Sequence, residues 1–339
     1  MTEKYDLNVY ITHFVPPKPT VLNLIKSFIA PRFSFAYLRS WARLLKHGTR
    51  GNQPWKKDVM TKSRQTDQLN RTVYLARLLQ SLSGIRTKSL TVNIITNSRE
   101  AEQQISSMGF NVKLNFHVFS KYNEMNQLHN SPWIEDNPNS PWNLVWEHKK
   151  LIGEDFHNGN ENSLYLYIEN DILFAQQHLE YWLKESSLLS KSQLSPSFLR
   201  IEFDHKDRNW IAIDFFGDSK VSIEDCPKIS DDDFYFVQLP NSYSGLYLLD
   251  QSQLEVHLNS KAFSKSESRE LTWWDLGARA TAGNQFVDVP VGFTSRNVIK
   301  VDKNSLIPSR ECLIHHLPNL YIKTLKSKKH IPYGEIFIK

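Results

Sequence analysis

The chain has 339 residues, 40% hydrophobic and 12% aromatic, with 12 glycines, 15 prolines and a net charge of +5. That composition excludes a disordered or collagen-like chain and predicts a folded protein with a sizeable core. The charge is too small to imply nucleic acid, and none is expected as a partner. Two distant cysteines, Cys226 and Cys312, suit neither a disulfide framework nor a structural zinc site, so a reducing, cytoplasmic setting is expected. The first residues lack the basic-then-apolar pattern of a signal peptide, and no window of about 18 apolar residues predicts a spanning helix.

In chain order, "LNVYITHFV" (7–15) reads as a strand ending near Thr12 and His13. A basic insertion follows, 16–65, with eleven Lys/Arg against one acid, Asp58. Within it, "FSFAYLRSWARLLKHG" (33–48) sets Phe35, Leu38, Trp41, Leu44 and Leu45 on one helical face and Arg39, Arg43 and Lys46 largely on the other. Such a helix fits an anionic membrane surface, here the cytoplasmic inner face. A core-packed helix with a solvated basic face is the plainer alternative.

"LNRTVYLARLLQSL" (69–82) reads as a helix with Val73, Leu75, Ala76, Leu78, Leu79 and Leu82 inward. Arg71 opens it, to meet either nucleotide phosphates or solvent. "SLTVNIITN" (89–97), ending at Asn97, and "NVKLNFHVF" (111–119) are strands. "PWNLVWEHKKLIGEDF" (141–156) has Pro in its first turn and reads as a helix, with His148 expected on its solvated surface. "SLYLYIENDILF" (163–174) is a fourth strand. This alternation predicts an α/β fold, a mostly parallel sheet flanked by helices, with ligands at the carboxyl ends of its strands. Thr12, His13 and Asn97 then become nucleotide-pocket candidates by position. The second half is more mixed: strands at 197–203, 209–216 and 243–250, a helix at 273–282, and strands at 286–293 and 311–317.

Glu169-Asn170-Asp171 interrupts the fourth strand. Carboxylates at a buried strand end need a partner or a ligand. Two acids at i and i+2 on a sheet edge can share one divalent cation, and Mg²⁺ or Mn²⁺ typically keeps one or two protein carboxylates and takes other ligands from substrate phosphates. A polar exit from strand to loop is the bland alternative.

The order of motifs resembles that of the GT-A fold glycosyltransferases, which use sugar nucleotides. Their D-x-D or E-x-D motif at the end of the fourth core strand matches Glu169-Asn170-Asp171. Their Gly-containing loop near the acceptor is similar to "NSYSGLYLLD" (241–250), with Tyr243 and Gly245. Their x-E-D segment, whose acid is the base of inverting members, resembles "TWWDLGARATAGNQFVDVPVGF" (272–293), with Asp275 in the acidic position and Trp273 and Trp274 before it. Their C-terminal metal-ligating histidine has candidates in "CLIHHLPNLY" (312–321).

The resemblance implies a GT-A-like, Rossmann-type chain: one domain with a nucleotide-sugar half (1–180), a mixed acceptor half (181–325) and a basic tail (326–339). It implies a Mn²⁺ or Mg²⁺ ion held by Asp171 and Glu169 with His315 or His316. A nucleoside-diphosphate sugar would lie against Thr12, His13, Arg71, Asn97, Glu169 and Asn170. A glycan or lipid-linked acceptor would lie near Tyr243, Gly245, Trp273 and Trp274. Inversion with Asp275 as base is the expectation. A retaining enzyme, loosely echoed by His316 with Lys323, and a non-catalytic glycan- or nucleic-acid-binding module are the rivals. His315 and His316 are adjacent in a strand, so at most one should easily reach the metal. A hydrogen-bonded histidine is the ordinary alternative for each.

Overall fold

The computed structural model describes residues 2–15, 60–123, 141–213, 220–319, 321–322 and 331–339. The expected helix at 33–48, the rest of the insertion before residue 60, and Lys323 lie outside them. Among the described residues, no helix is long and apolar enough to cross a membrane.

The central sheet contains β1 (Asp6–His13), β2 (Ser89–Thr96), β3 (Lys113–Val118), β4 (Ser163–Glu169) and β12 (Leu246–Asp250) in the order β12-β4-β1-β2-β3. The first four run parallel, and β12 is antiparallel to β4. The expected α/β class is thus observed. In β4, Leu164, Leu166 and Ile168 enter one core cluster and Tyr165 and Tyr167 another, all of them buried. Burial on both faces explains why the strand reads as a continuous apolar run rather than an alternation.

Helices α1 (Met60–Leu82), α2 (Arg99–Ser106) and α4 (Gln176–Leu189) contribute to the Leu/Ile/Val side. α1 is longer than its sequence pattern predicts, so Arg71 sits within it rather than at its start. Leu75, Leu78, Leu79 and Leu82 are fully buried, whereas Val73, expected inward, is 47% exposed.

The other face is aromatic and polar, covered by α3 (Glu147–Phe156) and α5 (Gln251–Leu258). Buried hydroxyls need partners, and these helices supply them. Tyr10 donates to Asp155 at 2.5 Å and Tyr165 to Gln251 at 2.6 Å. His148 is fully buried, not solvated as expected: Val145 O takes the Nδ1 proton, so Nε2 accepts from the Tyr247 hydroxyl at 2.8 Å. Lys149 is buried beside it and donates to His257 Nε2 at 2.8 Å and Ala262 O at 3.0 Å. His257 Nε2 is free to accept because Asn284 Oδ1 holds Nδ1 at 3.0 Å.

Burial pushes Lys149 down from 10.5 to about 7. The unfolded chain therefore binds one more proton between those values, and the fold gains stability as pH rises through that window. Relative to Lys149→Met, the wild type should gain about 1.4 kcal/mol per pH unit there. Denaturant midpoints of both proteins at about pH 7.5 and about pH 9.5 measure this; parallel slopes would contradict it.

The second half forms small sheets. One has the order β5 (Ile172–Leu173), β14 (Leu313–His316), β7 (Leu199–Asp204) and β8 (Asn209–Ala212). Another has β10 (Lys228–Ser230), β11 (Phe234–Val237), β13 (Asn297–Asp302) and β6 (Ser195–Pro196), and β9 (Val221–Ser222) pairs with β15 (Phe337–Ile338). The helix expected at 273–282 shrinks to α6 (Leu276–Ala280). The strand expected at 286–293 is absent: those residues are turns and unassigned backbone. Asp288 and Gly292 adopt positive φ (47° and 89°), and Val291 is fully exposed. Pro290, which lacks an N–H, adds to this, and no pleated strand can run through such a sequence. The strand of this region is β13, where Val298, Ile299 and Val301 are buried.

Candidate active site

Glu169 closes β4 at the carboxyl end of the parallel sheet, and Asn170 and Asp171 form the turn into β5. β5 pairs with β14 so that His316 lies opposite Ile172 and His315 opposite Leu173. Leu317 N donates to Asp171 O at 2.8 Å and fixes the two segments together. Alternation along β14 then separates the two histidines. His316 faces the site, its Nε2 3.5 Å from Asp171 Oδ2. His315 packs edge-on against Trp210, ring centroids 4.9 Å apart, on the other face.

His316 is held from behind. Its Nδ1 lies 2.6 Å from Glu202 Oε1, and Glu202 is fully buried on β7. Arg200, two residues earlier and also buried, comes within 3.9 Å of Glu169 Oε2 and stacks its guanidinium over the Tyr243 ring at 4.5 Å. The Tyr243 hydroxyl donates to Glu169 Oε1 at 2.5 Å. The two acids of the triplet thus diverge, Glu169 towards Arg200 and Tyr243 and Asp171 towards His316.

Their electrostatics diverge as well. Burial and the charge of Asp171 push Glu169 above the ordinary carboxylate range, and Arg200 and Tyr243 only partly offset this. Burial pushes Asp171 up too, but His316, Arg71 and Arg200 outweigh it and hold Asp171 low. Burial disfavours the charged form of His316, yet Asp171 and Glu202 overcome that and raise it to about 9. His316 therefore directs ring protons at both carboxylates, and a cation held between Nε2 and Asp171 would displace the proton on Nε2.

The remaining candidates sort by geometry. His13 is fully buried and its Nδ1 meets Asn170 Nδ2 at 2.8 Å; its Nε2 is buried with no hydrogen-bond partner. Burial, helped by the charge of Arg71, lowers His13 to about 4 and keeps it neutral. Arg71 itself is exposed. Thr12 receives the Tyr167 hydroxyl at 3.5 Å. Asn97 grips the chain leaving β1, accepting from Val15 N and donating to Val15 O, both at 2.8 Å. That is a reason for an asparagine there without any nucleotide.

Gly245 lies under the triplet rather than on an open loop. Its φ is +69°, and a Cβ there would come within 2.5 Å of Glu169 Oε2 and 2.6 Å of Ile172 Cδ1. Only glycine combines that conformation with so close an approach. Trp274 is buried edge-on against Tyr243, centroids 5.2 Å apart, while Trp273 is 93% exposed. Asp275 is exposed and caps α6, its Oδ1 accepting from Ala278 N at 2.9 Å.

Sequence reasoning missed Arg200 and Glu202. The signal was present in "FLRIEF": two opposite charges at i and i+2 inside an apolar strand must share a face and need partners.

Among the described residues, no three His, Cys, Asp or Glu side chains converge as a metal cage. The residues do fit an ion that a substrate helps to hold. Asp171 Oδ1 is buried without a hydrogen-bond partner. The imidazole next to it is backed by a carboxylate, the usual companion of a metal-binding histidine. Asp171 and His316 are thus two donors, the number Mg²⁺ or Mn²⁺ commonly takes from protein when phosphates complete the shell.

No protein-family model matches the chain, and no curated protein matches it. Among solved structures, mouse xyloside xylosyltransferase 1 is similar with 13% identity and a TM-score of 0.34, over 83% of this chain and 80% of that one. CMP:2-keto-3-deoxy-manno-octonic acid synthetase, in complex with CTP, is similar with 11% identity and a TM-score of 0.29, over 78% and 83%. The 4-diphosphocytidyl-2C-methyl-D-erythritol synthase of Anaerococcus prevotii has 12% identity and a TM-score of 0.25, over 80% and 78%. Likenesses this low carry no argument about activity, which rests on the site alone.

Proposed function

We propose that the protein is a glycosyltransferase that moves a sugar from a nucleoside diphosphate to a glycan or lipid-linked acceptor, with Mn²⁺ or Mg²⁺ as cofactor. The observation that carries this reading is the pairing of Asp171 with His316 beside Glu169, at the carboxyl end of a parallel sheet, where ligands of such sheets bind. Asp171 and His316 would hold the ion; when bound, it offsets the charge that builds on the departing diphosphate.

This chain's own groups do the rest. Arg200 and Tyr243 orient Glu169, which faces the donor. His13, kept neutral, has an Nε2 in want of a partner at the same sheet end. Arg71 adds positive charge on the Asp171 side. Trp273 offers an exposed ring for an acceptor sugar. Asp275, at the start of α6, takes the proton of the acceptor hydroxyl in the inverting reading. One observation favours the retaining reading instead: the Asp275 carboxylate already serves as a helix cap. The reading further assigns the donor to residues 1–180 and the acceptor to 181–325 of a single domain. The basic insertion would dock it on the inner face of a membrane.

Thermal stabilisation against a panel of nucleoside diphosphates, with and without Mn²⁺, tests the assignment. One base should raise the unfolding temperature in a metal-dependent way. A flat panel would return the triplet to a polar strand end and bring a binding-module function forward.

A further inference from the structure

The proposed metal side of the site leans on a group outside the triplet. Glu202 has no exposed surface, yet it is a carboxylate in the middle of strand β7. A buried carboxylate persists only where hydrogen bonds satisfy it. Glu202 Oε1 takes the His316 Nδ1 proton at 2.6 Å and the Tyr321 amide at 3.3 Å, and Oε2 takes the Ile322 amide at 3.0 Å. One side chain therefore ties the ring of His316 to the backbone five and six residues further on.

The ring has two nitrogens and only one can face Asp171. An acceptor-only group on Nδ1 commits the proton to that atom and leaves Nε2 to turn towards Asp171. Arg200, at the i−2 position on the same face of β7, makes the matching approach to Glu169.

We propose that Glu202 is the positioning residue of this centre, holding His316 so that Nε2 and Asp171 Oδ2 present one divalent cation with a paired donor set. The proposal rests on the metal-dependent reading above. Glu202 touches neither donor nor acceptor; it acts through the orientation of His316 and through the chain at 321–322.

The test is Mn²⁺ affinity, read from the free-ion resonance in electron paramagnetic spectra, for wild type, Asp171→Ala and Glu202→Gln. Glutamine keeps the size of Glu202 but has one acceptor oxygen for three donors. The expected result is a roughly 10- to 100-fold weaker affinity in Glu202→Gln, with the far-ultraviolet circular dichroism of the wild type retained. Unchanged affinity in a folded Glu202→Gln, while Asp171→Ala loses it, overturns the positioning role and leaves the metal site standing. No Mn²⁺ binding by the wild type, with or without nucleoside diphosphate, removes both. Should Glu202→Gln fail to fold, nitrogen-15 spectra of the wild-type histidines decide. Mg²⁺ should shift Nε2 of His316 with Nδ1 still protonated, and unmoved ring nitrogens overturn the proposal.

Discussion

Asp171→Ala is expected to abolish metal-dependent stabilisation by nucleoside diphosphates and to lower kcat/KM for sugar transfer by about 10³-fold or more. The magnitude follows from the several kcal/mol that a cation contributes to a departing diphosphate, at 1.36 kcal/mol per decade of rate. The variant should nevertheless fold. His316, Arg71 and Arg200 hold Asp171 charged, so its loss costs some stability, but its other carboxylate oxygen has no partner to leave behind. The backbone hydrogen bond from Leu317 to Asp171 O survives the substitution, and His316 keeps Glu202. Thermal unfolding without ligand and transfer assays with ligand separate the two effects. A variant that transfers sugar at the wild-type rate would remove Asp171 from the centre altogether.

The second large effect concerns Asp275. Asparagine caps a helix about as well as aspartate, so Asp275→Asn preserves the bond to Ala278 N and removes only the carboxylate as a base. Loss of a general base costs typically about 10²–10⁴ in rate. A fall of that size, with KM for the donor unchanged and the product anomer inverted, supports Asp275 as the base. A rate within a few-fold of wild type assigns Asp275 to the cap alone, and the anomeric configuration of the product then identifies a retaining enzyme. The route from Asp275 to the acids is short in contacts: Trp274 packs on Tyr243, whose hydroxyl binds Glu169.

The parallel sheet was legible because β4 reads as an unbroken apolar run buried on both faces and β1 and β2 carry shorter buried runs, whereas β3, at the edge, is only partly buried. β1, β2 and β3 fall within a residue or two of their expected bounds, whereas the strand expected over 163–174 is broken by the turn at Asn170-Asp171 into β4 and β5. Helices were less legible where their start signals were unusual. α4 begins at Ala175, where no side-chain oxygen caps it and His178 Nδ1 accepts from the Ala175 amide instead. α5 carries a readable start signal, Asp250 and Gln253 capping each other's backbone amides. β13 was hidden because its Lys300 reads as surface, although it is buried against Glu185 at 2.8 Å.

In the site, the triplet and the histidine pair could be found as motifs. Which histidine turns inward could not, because that depends on the register of β14 against β5, a contact between segments far apart in the chain. Nor could the ties of Glu202 and Arg200. Their charges were visible in the strand, but their partners come from β14, β4 and the 321–322 segment.

The pairing of β14 with β5 also sets an order of construction. Glu169 and Asp171 leave the ribosome well before His316, and chains tend to fold from the N-terminus during synthesis. A chain stopped before Leu313 carries two crowded carboxylates and Arg200 but lacks the ring that gathers them into a binding centre. Trimming back from the far end would remove the same ring while leaving the five-stranded sheet intact. Such a protein would also lose Ile314, Leu317 and Ile336 from its core and leave Glu202 buried without His316: the β14 segment both completes the packing and turns a strand end into a site.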